Sequence, residues 1–314
     1  MTMRFDDDVV IVTGAGRGLG REYALAFAER GAAVVVNDLG KEMDGNGVAV
    51  PVAQQVVDEI VAAGGRAVAD ANSVGTREGA EAIVQTALDT FGKVTVLVNN
   101  AGIIRFAPLT EIDEDHWRLM QQVTLDGTFH LCAAVWPHMA AQNFGRIVNV
   151  TSNAGFAGNE TLIPYGAAKL GVAGLTKCLA REALGTGITV NAIAPMAVTR
   201  MNREVFFGGK ESTTDDWQSE ISAGEVPMGP PSIIAPTVVW LGHRDTTFNG
   251  EIFSTSSGKV ARVAFVVGEG YFNPDHTAED LAANADKIRT LGDYLDPTFT
   301  GDELALIPPL FMNP

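Results

Sequence analysis

Short apolar runs recur along the first two thirds of the chain, separated by longer stretches with apolar residues at helical spacing. The runs are Val9–Thr13 (VVIVT), Ala33–Asn37 (AVVVN), Arg66–Asp70 (RAVAD), Val94–Val98 (VTVLV), Gly145–Thr151 (GRIVNVT) and Ile188–Ala194 (ITVNAIA). Runs this short and this rich in valine and isoleucine predict strands covered on both faces. Between them, 19–30, 52–63, 77–91, 113–138 and 165–184 carry the helical period, with 113–138 forming one or two helices. Strand and helix in alternation predict a parallel sheet with helices on both faces. A further helix at 232–243 and a short strand at 251–255 follow, and 259–267 is apolar enough to add another strand.

The turns between these elements carry the candidate chemistry. GAGRGLG at 14–20 joins the first strand to the first helix. Such a turn brings backbone N–H groups and a helix N-terminus to one point, which suits a pyrophosphate. Its glycines at 14, 18 and 20 are spaced G-x-x-x-G-x-G, with Leu19 where the common G-x-G-x-x-G pattern ends in glycine. Asp38 ends the second strand, where an acid holds the ribose hydroxyls of a dinucleotide and repels a 2′-phosphate. The reading is therefore NAD in preference to NADP, with Arg17 pulling mildly the other way. Thr13, Asp38, Ser73, Asn100 and Ser152 all fall at strand ends, where ligands of such sheets bind.

Ser152 to Lys169 reads SNAGFAGNETLIPYGAAK. If Tyr165 opens a helix, Lys169 lies one turn along on the same face. An ammonium there favours the phenolate, whereas burial alone favours the phenol. With the Ser152 hydroxyl to hold a substrate oxygen, the three side chains form a proton-transfer site for an alcohol or carbonyl.

Composition narrows the field. The 314 residues suffice for one large domain or two small ones, and no internal repeat or splitting linker stands out. Lys and Arg number 22 against 38 Asp and Glu, a net charge of −16, which disfavours nucleic acid and anionic membranes as partners. Cys132 and Cys178 are the only cysteines, so a reduced cytoplasmic setting is expected. The start MTMRFDDDVV lacks the features of a signal peptide, and the end FMNP is not a peroxisomal address. His116 and His130 have no partners at metal-ligand spacing, so no metal is expected.

Thr13–Gly20 (TGAGRGLG), Asn99–Gly102 (NNAG), Ser152, Tyr165–Lys169 (YGAAK) and Asn191–Pro195 (NAIAP) stand in an order that resembles the short-chain dehydrogenase/reductase family. The resemblance covers residues 7 to about 257. It implies a single Rossmann-type, doubly wound domain with seven parallel strands, and a homodimer or homotetramer acting on a small molecule. Residues 258–314 would be an extension packed on the body or on a neighbouring subunit. Tyr165 would be the general acid/base, Lys169 would lower its pKa and hold the nicotinamide ribose, and Ser152 would orient the substrate carbonyl. Gly14, Arg17, Gly18, Leu19 and Gly20 would contact the phosphates or pack beside them. Asp38 would bind the adenosine ribose, Ser73 and Val74 the adenine side, Asn100, Ala101 and Gly102 the adenosine and central region, and Pro195 and Val198 the nicotinamide.

Within the family, the stretch Tyr23–Gly40, the insertion at 40–51 and the segment near 258–263 are similar to the dehydrogenase domain of peroxisomal multifunctional enzymes of type 2 and their stand-alone bacterial relatives. That group oxidises (3R)-hydroxyacyl-CoA esters, and some members accept hydroxysteroids. Arg105, Arg200 and Arg203 are then candidates for a CoA phosphate, or ordinary surface charges.

The chain also departs from the family pattern. Thr124 stands where many members carry a relay Asn, Ser73 where an acid is usual, and Met196 where glycine follows Pro195. Met196 would narrow the pocket beside the nicotinamide. The stretch 196–231 reads as a substrate-covering lid or an exposed loop, both left open. Thr124 alone supports a second reading, a dinucleotide-binding regulator or scaffold with little catalysis.

Overall fold

Val9 and Ile11 face one side of the sheet and Val10 and Val12 the other, and all four are buried, as a strand covered on both faces requires. This strand, β1 (Val9–Thr13), pairs in parallel with β2 (Ala33–Asn37) on one side and β4 (Val96–Asn99) on the other. β3 (Arg66–Asp70) flanks β2, and β5 (Gly145–Val150), β6 (Ile188–Met196) and β7 (Ile252–Ser256) extend the other half. The chain therefore reverses its direction of growth between β1 and β4, and the carboxyl ends of these two strands flank a crevice. The computed structural model describes residues 2–42, 44–46, 51–199 and 228–306.

Seven strands are parallel, as expected, but the sheet carries an eighth, β8 (Lys259–Val263), beside β7. The reason is the two-residue turn Ser257–Gly258, at φ 48° and 83°. A turn this tight can only return the chain antiparallel, so the parallel series ends there.

Helices α1 (Gly18–Ala28) and α2 (Val52–Ala62) cover one face, and α3 (Arg77–Phe91) the other. The predicted helix at 113–138 is interrupted. α4 (Glu114–Gln121) runs through a π turn at Gln122–Asp126 into α5 (Gly127–Ala141). Thr128 Oγ1 donates to the Thr124 carbonyl at 2.7 Å, taking up an acceptor on that turn. An extra residue in a helical turn leaves the apolar period on either side intact, so the pattern did not disclose it. α6 (Asn153–Ala157) and α7 (Ile163–Glu182) follow β5, and α8 (Ala235–Gly242) precedes β7.

Two compact units divide the chain at residue 262. The first holds the sheet. The second, 263–314, contains a two-stranded antiparallel ribbon (Val267–Gly268 with Tyr294–Leu295) and two short helices, Ala278–Ala283 and Ala285–Arg289. Among the described residues no helix is long and apolar enough to cross a membrane.

Candidate active site

The glycine turn after β1 is built by close approach. A Cβ on Gly20 would sit 2.2 Å from the Gly14 carbonyl oxygen and 2.5 Å from Asn100 Nδ2, so only glycine lets α1 begin there. Gly18, at φ 54°, has none of the described residues within 4 Å of where its Cβ would lie, so among them the turn faces open space. α1 has no side-chain cap, so its first N–H groups are left for a ligand. Asn100 fastens the turn from the neighbouring strand: its Nδ2 donates to the carbonyls of Thr13 (2.9 Å) and Gly14 (3.0 Å). Thr13 Oγ1 answers by accepting from the Asn100 and Ala101 backbone N–H groups. Asp38 also braces the turn, accepting from Gly16 N (2.9 Å) and Gly40 N (2.7 Å). Each carboxylate oxygen retains a second acceptor position for a ribose hydroxyl.

A cavity of about 330 Å³ opens over this turn. Gly14, Arg17, Gly18, Leu19, Gly20, Asp38, Ser73, Val74, Asn100, Ala101 and Gly102 all line it. Ser73 and Val74 lie three and four residues beyond the end of β3, carried in by the loop. Val198 is different. It is buried, its N–H donates to the Gly229 carbonyl, and it lines neither this cavity nor the next, whereas Thr199 lines both. Residues without a role in the sequence reading also line the larger cavity, among them Leu39, Lys41, Gly45 and Ile103. Their only signal was position, beside Asp38 or after Gly102.

The second cavity, about 260 Å³, holds Ser152, Tyr165, Lys169 and Pro195. It shares Leu19, Asn100, Gly102 and Thr199 with the first, so the two adjoin. These side chains meet because small residues let α6 lie on α7. A Cβ on Gly155 would fall 2.8 Å from Leu170 N, and one on Gly166 3.1 Å from the Ala154 carbonyl oxygen. α7 starts two residues before Tyr165, which places Tyr165 and Lys169 one turn apart, with the ammonium 5.7 Å from the phenol ring centre. Lys169 Nζ donates to the Val150 carbonyl at 2.7 Å. Met196 lines the cavity beside Pro195, and its sulfur accepts from Asn153 Nδ2 at 2.9 Å. Among the described residues the buried Thr124 hydroxyl finds no hydrogen-bond partner. Of the proposed cover at 196–231, residues 200–227 lie outside the described residues, and Arg200 and Arg203 with them.

Burial pushes the Tyr165 pKa above its ordinary value, and a hydrogen bond from Ser152 works the other way. The expected lowering is not found, because the phenol is only 8% exposed and its desolvation exceeds what the Ser152 hydrogen bond opposes. Burial likewise draws the Lys169 ammonium down to about 8. It still carries its charge at neutral pH.

A family model described as short chain dehydrogenase matches residues 8–207. The chain is a short-chain dehydrogenase. It is an oxidoreductase acting on CH–OH groups, of a family that uses nicotinamide dinucleotides. It is 41% identical over 286 residues to a short-chain type dehydrogenase/reductase of Mycobacterium tuberculosis, covering 91% of this chain and 95% of that one. It is 43% identical over 290 residues to the mouse peroxisomal multifunctional enzyme type 2, covering 91% of this chain but only 37% of the mouse protein. A (2S)-[(R)-hydroxy(phenyl)methyl]succinyl-CoA dehydrogenase subunit of Thauera aromatica is 35% identical, with 82% and 98% of the two chains covered. Among solved structures, a short chain dehydrogenase from Mycobacterium avium superposes with a TM-score of 0.73 at 37% identity, covering 91% of this chain and 97% of that one.

The depressed Lys169 pKa makes stability depend on pH in a defined window. Between about 8 and the ordinary 10.5 the unfolded chain holds a proton the folded chain has lost, so stability rises with pH there. Relative to Lys169→Met, which lacks this titration, the wild type should gain on the order of 3 kcal/mol at most from pH 8 to 10.5. Urea unfolding of both proteins across that range checks it.

Proposed function

We propose that this short-chain dehydrogenase uses NAD to oxidise a secondary alcohol, or reduce the ketone, of a 3-hydroxyacyl-CoA or hydroxysteroid. Support for the dinucleotide comes from the larger cavity. Its open glycine turn, uncapped helix start and strand-end acid fit a pyrophosphate and a ribose. Gly14, Arg17, Gly18, Leu19 and Gly20 would hold the phosphates, Asp38 the adenosine ribose, Ser73 and Val74 the adenine, and Pro195 the nicotinamide. Preference for NAD rests on the Asp38 carboxylate, which faces the place a 2′-phosphate would need. When bound, the cofactor supplies the hydride acceptor or donor.

The protein's own part is proton handling. Ser152 donates to the substrate oxygen and holds it beside the Tyr165 phenol. Tyr165 takes the hydroxyl proton in oxidation and returns it in reduction. Lys169 keeps one N–H on Val150, leaving two for a ribose, and its charge favours the phenolate that burial opposes. The single observation that carries this reading is that Ser152, Tyr165 and Lys169 line one cavity that adjoins the glycine-turn cavity. It also weighs against a regulator with little catalysis, since the proton-transfer apparatus is assembled.

The acyl-CoA reading draws support from the Thauera relative, whose name specifies a CoA thioester. A homodimer or homotetramer draws support from apolar side chains left exposed on α5 and α7, Phe129 and Leu170. Two unpaired cysteines suit a reducing compartment such as the cytoplasm.

Replacing Tyr165 with Phe should lower turnover by about 10²–10⁴-fold while NADH binding persists. Steady-state rates on hydroxyacyl-CoA and hydroxysteroid panels, with NADH fluorescence titration, test this, and full activity would refute the assignment. Asp38→Ala should raise the NADP/NAD ratio of kcat/KM, and an unchanged ratio would count against the NAD preference.

A further inference from the structure

The four residues after the Asn99–Gly102 corner divide their side chains among three surroundings. Ile103 lines the dinucleotide cavity, and Ile104 and Phe106 line the catalytic one. Arg105 turns to the 40–51 insertion instead. Its Nε donates to the Asp44 carbonyl at 2.8 Å, and its Nη2 to Asn46 Oδ1 at 3.2 Å. One edge of the guanidinium thus grips two acceptors of a single turn, which an ammonium does not reproduce. That edge is committed to the protein, which counts against Arg105 as a CoA phosphate ligand.

The gripped turn is itself closed. Gly45 N donates to the Glu42 carbonyl and Glu42 N to the Asn46 carbonyl, each at 3.0 Å. The Asp44 carboxylate accepts from both the backbone and the side-chain amide of Asn46. The Asn46 backbone N–H foremost, then its amide and the Arg105 charge, hold the Asp44 carboxyl below its ordinary range. Gly45 rests on the cavity floor: a Cβ there would lie 3.3 Å from Leu119 Cδ2 and 3.4 Å from Ile103 Cδ1. Lys41, Glu42 and Gly45 then form one wall of the cleft, continuous with Asp38 and Leu39.

We propose that Arg105 is a positioning residue for the dinucleotide, which fastens Asp44 and Asn46 so that Lys41, Glu42 and Gly45 stand as a wall over the adenosine half of the cleft. This rests on reading the larger cavity as the dinucleotide site. A bound nucleotide leaves past this wall, so a loosened turn weakens affinity and speeds release. Because Ile104 and Phe106 flank Arg105, the same segment shapes the substrate cavity, and the arginine ties the two cavities together.

The test compares Arg105→Gln and Arg105→Lys with the wild type in NADH fluorescence titration, ADP-ribose calorimetry and steady-state kinetics. Both Kd values should rise about tenfold in Arg105→Gln, the loss of a charged hydrogen-bonded contact. Arg105→Lys should recover less than half of that loss, since it lacks the fork. The KM for NAD should rise in parallel, with kcat at saturating cofactor falling less than about threefold. A merely structural arginine would not produce that split. Kd values for both ligands within about twofold of the wild type would overturn the proposal. A wild type that binds neither NADH nor ADP-ribose would instead overturn the dinucleotide reading. If Arg105→Gln fails to fold, Asn46→Ala removes one of the two acceptors from an exposed position. It should weaken NADH about two- to fourfold, and unaltered binding would overturn the proposal.

Discussion

A buried ammonium is the constraint on which the site depends. Lys169 is 4% exposed, and among the described residues no carboxylate pairs with it. A charge placed there is costly unless something stabilises it. The structure supplies a backbone carbonyl from Val150 and the face of the Tyr165 ring. That is enough to hold the group but leaves its pKa depressed to about 8. The same burial raises the Tyr165 pKa. Two groups with opposite charge tendencies, both strained by desolvation, are therefore poised so that anything favouring the phenolate is also favoured by the lysine.

Holding such a pair requires a stiff frame, and the end of β5 with the residue after it provides one through three consecutive residues. Asn149 Nδ2 donates to Thr176 Oγ1 at 2.9 Å, and Asn149 Oδ1 accepts from Asn99 Nδ2 at 2.9 Å. Val150 receives the lysine, and Thr151 Oγ1 donates to the Lys169 carbonyl. These bonds tie β4, β5 and α7 into one polar ladder inside an otherwise apolar core. The glycine turn is held in the same way by Asn100 and Thr13 from the adjacent strands. The Ser152–Tyr165–Lys169 group and the glycine turn thus belong to one rigid carboxyl edge of the sheet.

Much of this was readable without coordinates, for physical reasons that differ by element. A strand covered on both faces must be apolar throughout, so the VVIVT and AVVVN runs announced β1 and β2. Ser152, Tyr165 and Lys169 were legible because their spacing places them on successive structural units that the fold brings together. Other features depend on tertiary context. The Ser257–Gly258 hairpin adds an antiparallel edge that apolar content suggested without its direction. The π turn at Gln122–Asp126 leaves no periodic trace. Tyr165 shows the limit most clearly. Its neighbours could be named from spacing, but how far burial outweighs them depends on how tightly α6, α7 and Ile104 close around the ring.

The most direct test is ultraviolet difference titration of Tyr165 in the NAD-bound protein, with Tyr165→Phe as the blank and Lys169→Met as the comparison. The account predicts that, with cofactor bound, the phenol ionises at lower pH when Lys169 is present than in Lys169→Met. A Tyr165 that titrates at the same pH in the complex whether or not Lys169 is present would contradict it.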